Sequence, residues 1–577
     1  MSVVSLADAA ASKVTREDLI SAAEATGFSI KDEQDEQDYL VLLQSADAII
    51  EGIEAEEDYI PPQLQPVETT QERTFWRPNP EDNPLNAWSH RAELQAKRPV
   101  TNLLQGRGIA LKDNVCVAGL PTTLGTFAEL LSKDGKYPIS AIDATVVRRL
   151  LEAGATVKGT AVCENYSACP LSYSASTGPI HQPWCKGYCG GGSSSGCSIL
   201  VAAAGLAKGT GNHGEVVDLA IGGDQGGSIR LPAAFAGCYG LKPTHGLVPY
   251  TGIAALAPMM DHVGPMATSV LDVAKVLQVI AGYDGLDARM TAEAPLRDQV
   301  KDYPKLIQDF LELPEAGRQS KPLRIGLLQE GFTTYGMTES VRDTVKAAAT
   351  KFFSAAGAEV VEVSVPMHKL GAHVWTASTR ASLSDFGFLG HMAGYLTFAP
   401  PHLQPRRPLD QEWYELLTAT NPSAVNVAIA GSHLKKKFGP HPEAKAHRQV
   451  FKLRAAYDHA LESVDILVTP TTSSVAMPHP KLKFIDGDPA SSVMDKLKMS
   501  IGSSTNTCPF NVTGHPALSV PCGFAAPEDK STDVKFPIGM QLIARRWDEE
   551  TLLKAAALFE REILGSGELL GSADRKQ

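Results

Sequence analysis

No stretch of this 577-residue chain approaches the ~20 apolar residues that a membrane-spanning helix needs. The opening residues, Met1 to Val14, lack the basic start and unbroken apolar run of a secretory signal. A soluble, cytoplasmic protein is therefore expected. Basic blocks are missing too, and the formal net charge is -12, so a nucleic acid or an anionic membrane surface would meet net repulsion. That leaves a small molecule as the expected partner. The nine cysteines are scattered with no Cys-x-x-Cys spacing, which fits reduced thiols and not a disulfide framework. Cys185 and Cys189, with His181 nearby, form a group that can be read as zinc ligands, but the surrounding Pro, Trp and Gly offer no second pair. No metal is expected.

What the sequence does hold is ordinary globular material, with 43% hydrophobic and 20% charged residues. Its length permits several domains, although large α/β folds often absorb several hundred residues around one sheet. From Thr15 to about Ile53 the pattern is helical, opened by a capping-box signature at Thr15 and Asp18. Leu40, Leu43, Ile50 and Ile53 share one face. Pro61, Pro62 and Pro66 end it, and the proline-rich stretch 77–84 reads as an extended linker. Residues 1–90 are thus expected to be a helical arm and linker, and 91–577 the main domain. The arm's apolar stripe would support a homodimer.

Beyond the linker, strand and helix patterns alternate. Gly108 to Leu111 and Ala155 to Gly159 read as strands around a helix from Ala144 to Ala153. The rhythm returns with strands at Leu323 to Leu328, Glu359 to Val365 and Val464 to Val468, and a helix from about Ser340 to Ala356. This predicts an α/β fold with a mixed, mostly parallel central sheet covered by helices. Between 366 and 452 the pattern loosens and aromatics gather, among them Trp375, Phe388, Tyr395, Phe398 and Trp413. Such density suits a core, and a helical excursion from an α/β body also suits a substrate cap.

Three segments hold the candidate chemistry. In Cys189-Gly-Gly-Gly-Ser-Ser-Ser-Gly-Cys197, four glycines and three serines cannot build a core, so backbone must pass close to something there. A flexible linker would be polar on both sides, whereas this loop lies between Tyr188 and an apolar helix from Ser198 to Gly205. Gly192-Ser-Ser-Ser-Gly196 also matches Gly-x-Ser-x-Gly, which would make Ser194 an α/β-hydrolase nucleophile. That elbow needs a buried strand before it, and glycine and proline stand there instead. The second segment, Ile221-Gly-Gly-Asp-Gln-Gly-Gly-Ser228, offers successive unhindered amides at Gln225, Gly226, Gly227 and Ser228 that can converge on an oxyanion. Third, Lys112 ends an apolar strand in Ala110-Leu-Lys-Asp-Asn114.

Together with Gly240-Leu-Lys-Pro-Thr244, Asn511-Val-Thr-Gly-His-Pro-Ala-Leu-Ser-Val-Pro521 and Pro537-Ile-Gly-Met-Gln-Leu542, these motifs stand in the order of the amidase signature family, which the chain resembles from about residue 100 to about 560. The resemblance implies an α/β/α sandwich and a serine amidase in which Ser228 forms the acyl-enzyme, Ser193 bears a cis peptide and Lys112 is the catalytic lysine. Gln225, Gly226 and Gly227 would supply the oxyanion donors. The helical arm and the Gly-Gly-Asp-Gln spelling are similar to a subgroup acting on simple aliphatic and aromatic amides. Two features depart from the family: residues inserted around 207–215 lengthen the path from Ser193 to Ser228, and Cys197 replaces a commoner serine or alanine, where packing is its expected role.

Serine needs a base within hydrogen-bond reach, and lysine serves as one only when neutral. Bringing its pKa from ~10.4 to ~7 takes about 4 to 5 kcal/mol, which burial can supply. No metal or organic cofactor is required by this chemistry. Arg230 and Asp224 are expected to brace the nucleophile loop, and His181, His213, His245 and His262 to be structural or exposed. The alternatives are the glutaminase-type subunit of a tRNA-dependent amidotransferase, which needs a partner protein and no helical arm, and a silent binding protein of the same fold.

Overall fold

Twelve strands among the described residues share one sheet. They are β1 Phe75–Trp76, β2 Trp88–Gln95, β3 Gly108–Lys112, β4 Thr156–Ala161, β5 Leu219–Asp224, β6 Tyr239–Lys242, β7 His262–Ala267, β8 Arg324–Leu328, β9 Glu359–Val363, β10 Ile466–Pro470, β11 Ala517–Ala525 and β12 Phe536–Ile543. Their order across the sheet is β1-β2-β4-β3-β5-β7-β6-β11-β12-β10-β8-β9. The computed structural model describes residues 6, 9–206, 213–314, 317–318, 320–390, 399–403, 409–482 and 490–567.

The α/β class and the mixed sheet are as the alternation predicts, but the parallel share is smaller. Parallel pairing is confined to β3 with β4 and β5, and to β8 with β9 and β10. Between these groups lie β7, β6, β11 and β12, all paired antiparallel. Those strands come from glycine-rich or proline-punctuated segments, whose composition does not advertise a strand.

Within β3 the side chains alternate between two apolar clusters. Ile109 and Leu111 join Val147 and Leu150 of the helix Thr145–Glu152 on one face, whereas Ala110 meets Ile199 and Ala203 of the helix Ser195–Leu206 on the other. A strand buried on both faces, with period two, is the centre of a helix-sheet-helix sandwich. Lys112 continues the phase of Ala110, so it points to the side on which Ser195–Leu206 packs.

The chain divides into two compact units, Met1–Pro61 and Pro62–Gln577. In the first, the helix Arg16–Thr26 has the expected capping box at Thr15 and Asp18. It stops at Gly27, whose φ of 93° suits a residue without Cβ, and Asp32 caps a second helix, Glu33–Glu54. The single helical pattern is therefore two helices. Residues 77–84 fall in the second unit as turns between β1 and β2, where the Asn83 Oδ1 accepts from the amides of Ala87 (2.9 Å) and Trp88 (3.0 Å). The region 366–452 contains the helices Gly371–Leu383, Gln411–Thr420 and Pro422–Phe438 and the start of His441–Ser463. Phe388 and Trp413 are buried there in one apolar cluster; Tyr395 and Phe398 lie outside the described residues. No helix among the described residues is long and apolar enough to cross a membrane.

Candidate active site

Because β3, β4 and β5 run parallel, their carboxyl ends share one edge, the place where open α/β sheets bind ligands. Lys112 closes β3 at that edge and is fully buried. Its Nζ lies 2.8 Å from Ser193 Oγ and 3.4 Å from the carbonyl oxygen of Gly223, near the end of β5. Burial pushes the amine below its ordinary pKa, against smaller upward pulls from Cys163, Cys197, Asp224 and Glu164.

The Gly192–Ser193 peptide is cis. Around it the loop is tied to Glu164, whose amide donates to the Ser193 carbonyl (3.1 Å) and whose carboxylate accepts from the Ser195 hydroxyl (2.7 Å) and from the Ser174 amide and hydroxyl (each 2.7 Å). Burial lifts this carboxyl to about 7. Gly196 opens the helix where a Cβ would stand 2.3 Å from the Ala87 carbonyl oxygen, so only glycine lets the loop sit this deep. Ser194, the residue that a hydrolase elbow would use as nucleophile, is buried and exchanges hydrogen bonds with the Gly223 backbone, donating to its oxygen (3.1 Å) and accepting from its nitrogen (3.2 Å). Its hydroxyl is engaged inward.

In the second loop Asp224 is the hub. Its carboxylate accepts from the amides of Gly227 (2.7 Å) and Ile229 (3.1 Å), from Asn511 Nδ2 (2.8 Å), and from Arg230 through Nε (3.0 Å) and Nη2 (2.9 Å). Arg230 in turn donates to the Thr507 carbonyl (2.9 Å) and to Gln541 Oε1 (2.7 Å). Burial alone would raise the Asp224 carboxyl, but Arg230, with Asn511 and Lys242 behind it, outweighs burial and brings the value down to about 2. The pair braces the loop from within. Gly227 has φ +137° and a Cβ there would lie 2.3 Å from Thr507 Oγ1, so this position tolerates glycine alone.

Ser228 follows directly. Its carbonyl accepts from the Ser194 amide (3.1 Å), which joins the two serine loops, and its hydroxyl has no hydrogen-bond partner among the described residues. The structure brings Lys112 and Ser193 into contact and Ser228 beside them through backbone, without a bond between the two hydroxyls. Of the expected oxyanion donors, the Gly227 amide already serves Asp224, whereas the amides of Gly226 and Ser228 are without a partner among the described residues. Gln225 contributes its side chain as well, with Nε2 donating to the Tyr250 hydroxyl (2.9 Å).

Sequence reasoning missed Glu164 and Thr507, which have no local pattern of their own, and it quoted Asn511 only as the start of a C-terminal motif, without its tie to Asp224. Trp375 stands out in the sequence only as one aromatic among several. Its indole Nε1 donates to the Gln225 carbonyl (2.9 Å). His262 is buried and His245 half-buried, with rings 5.0 Å apart, and desolvation lowers both, His245 to about 4. His181 packs against His479 at 5.4 Å, and His213 is half-buried. Cys197 is buried and its thiol faces the Ile221 carbonyl (3.4 Å). Most of the insertion, 207–212, lies outside the described residues.

A family model described as amidase matches residues 83–553. The chain is 36% identical over 503 residues to an enantioselective amidase of Rhodococcus rhodochrous, across 85% of this chain and 86% of that protein. It is 32% identical over 471 residues to a glutamyl-tRNA(Gln) amidotransferase subunit of Methanosarcina mazei, across 79% of this chain and 84% of that one. Among solved structures it is similar to native peptide amidase from Stenotrophomonas maltophilia, with a TM-score of 0.55, 28% identity, and coverage of 79% and 82% of the two chains.

Proposed function

The chain belongs to the amidase family of amide-hydrolysing enzymes, and from that premise we propose that it hydrolyses a small aliphatic or aromatic carboxamide through an acyl-enzyme on Ser228. The observation that carries the proposal is a fully buried Lys112 amine 2.8 Å from Ser193, at the sheet edge where the loop ending in Ser228 begins. A neutral amine accepts the Ser193 proton, and Ser193 takes that of Ser228 as it attacks the carbonyl carbon. The contact between the two hydroxyls forms with substrate bound, since catalytic hydrogen bonds often tighten only in the complex.

The tetrahedral oxyanion falls among the amides of the Gln225–Ser228 loop, each donor being worth about 3 kcal/mol. Proton return through the same relay to the leaving nitrogen expels ammonia. Water then repeats the cycle on the acyl-enzyme. The helices of 366–452 form the cap, and Trp375 reaches from it to the nucleophile loop. Nine free thiols support a reducing, cytoplasmic setting. Exposed Ile50 and Ile53 on the arm support a homodimer.

A panel from acetamide through benzamide to indole-3-acetamide, assayed for ammonia, tests the substrate class. Fluorophosphonate labelling tests the nucleophile, and a protein that neither labels at Ser228 nor releases ammonia would be a silent binder. The similarity to amidotransferase subunits favours one second reading, release of ammonia from glutamine for a partner protein. Glutamine as the preferred substrate in the same panel would support it.

A further inference from the structure

We infer that Trp375 is a positioning residue for the oxyanion site, fixing the peptide plane that presents the Gly226 amide; the inference rests on Ser228 being the nucleophile. A trans peptide is planar, so the carbonyl of Gln225 and the N–H of Gly226 point in opposite directions. The Trp375 indole N–H holds that carbonyl at 2.9 Å. Its ring packs against the same residue pair, since a Cβ on Gly226 would stand 3.2 Å from Trp375 Cζ2 and 3.6 Å from Cε2. Trp375 therefore occupies the carbonyl side, and the Gly226 amide faces away from it with no partner among the described residues.

The next peptide plane behaves differently. Its carbonyl, on Gly226, accepts from Thr507 Oγ1 (2.6 Å), and its amide, on Gly227, donates to Asp224 Oδ1 (2.7 Å). That plane is closed at both ends. The Gln225–Gly226 plane is held at one end and open at the other, which is what a preorganised donor requires. Trp375 is itself rigidly based. The helix Gly371–Leu383 starts so close to Pro509 that a Cβ on Gly371 would lie 2.6 Å from its Cγ. Pro509 stands two residues after Thr507, so both carbonyl donors belong to one packed frame.

An aromatic wall that only contacts substrate would alter KM, whereas a residue that aims an oxyanion donor acts on the transition state. The test uses the full-length enzyme, the best amide of the panel, and phenylboronic acid, which forms a tetrahedral adduct with a serine hydroxyl. Trp375→Phe is expected to lower kcat on the order of 10- to 100-fold with KM changed less than about twofold, because losing one oxyanion donor costs about 10²- to 10³-fold. The inhibition constant of phenylboronic acid should rise in proportion, while affinity for the carboxylic acid product stays unchanged. Replacing the Trp375 indole by the isosteric benzothiophene removes only the N–H, and should reproduce the loss even if the phenylalanine variant packs badly. Unchanged kcat and boronate affinity in the benzothiophene variant, or a change in KM alone, would overturn the inference. Failure of fluorophosphonate to label Ser228 in the unaltered enzyme would instead bring down the reading beneath it.

Discussion

Lys112 Nζ and Ser193 Oγ stand 2.8 Å apart in a site closed to solvent, one at the end of β3 and the other in the loop before the helix Ser195–Leu206. A charged ammonium there would lose its hydration for two hydrogen-bond partners, a hydroxyl and a carbonyl, and the pull of nearby acidic groups does not make up the loss. Burial therefore favours the neutral amine, the form that the proposed relay requires.

Ser228→Ala and Lys112→Ala are expected to abolish amide turnover, with losses on the order of 10⁴-fold or more. Both variants should keep the native circular dichroism spectrum. Full activity in either would contradict the assignment of the relay.

The pH profile has a definite sign. Burial lowers the Lys112 pKa, so the active neutral form persists down to the lowered value and is lost below it. kcat/KM should fall on the acid side with a single protonation. Lys112→Arg should be inactive at every pH, because a guanidinium does not deprotonate in this range.

The same burial predicts that function costs stability. Between the lowered folded pKa and the ordinary ~10.4, the unfolded chain binds a proton at Lys112 that the folded chain does not, so stability rises with pH across that window. Lys112→Met, similar in volume and without charge, should be inactive yet melt at the same or a higher temperature, with a flatter pH dependence. A large drop in melting temperature would show that Lys112 is a structural support.

How much of this is legible in the sequence depends on distance along the chain. Gly108 to Lys112, Thr145 to Glu152 and Glu339 to Ala355 declare themselves by local periodicity, and their observed bounds differ from the expected ones by a residue or two. The choice of Ser193 among three consecutive serines comes from the family resemblance, but the two glycine-serine loops are visible because such loops beside apolar elements are unusual. Glu164 is not: its meaning comes from Ser174, Ser195 and the Ser193 carbonyl converging on it, and no local pattern encodes that convergence. Nor can side-chain order tell that Trp375 reaches the carbonyl of Gln225, 150 residues away.

Thiol chemistry gives an independent check on the packing. Eight of the nine free cysteines are buried and only Cys185 is partly accessible. Burial also raises the Cys185 pKa, which slows it without hiding it. Titration with an aromatic disulfide reagent should therefore modify Cys185 alone in the native protein, and a Cys185→Ser variant should be silent until denaturant is added. Rapid reaction of several thiols in that variant without denaturant would mean that the core around Cys189 and Cys197 is not as closed as described.

Asp224 and Arg230 form a charged pair within the loop that ends in Ser228 and the helix after it, with neither side chain exposed. Removing one charge of such a pair strands the other, at a cost of about 3 to 5 kcal/mol. Asp224→Asn should accordingly lower the unfolding free energy by that order, since Arg230 keeps Gln541 and the Thr507 carbonyl but loses its counter-ion. The native carboxyl sits near 2, below the ~3.9 of a free aspartate. Its contribution is complete above the free value and is lost as pH falls from there through about 2. Denaturant titrations at pH 7 and near pH 3 should thus show the gap between parent and Asp224→Asn narrowing toward acid. The asparagine amide can still accept from Gly227 or Ile229, so residual activity in the folded fraction is expected to exceed that of Ser228→Ala. A variant as stable as the parent would mean that the loop is held by its backbone and not by this ion pair.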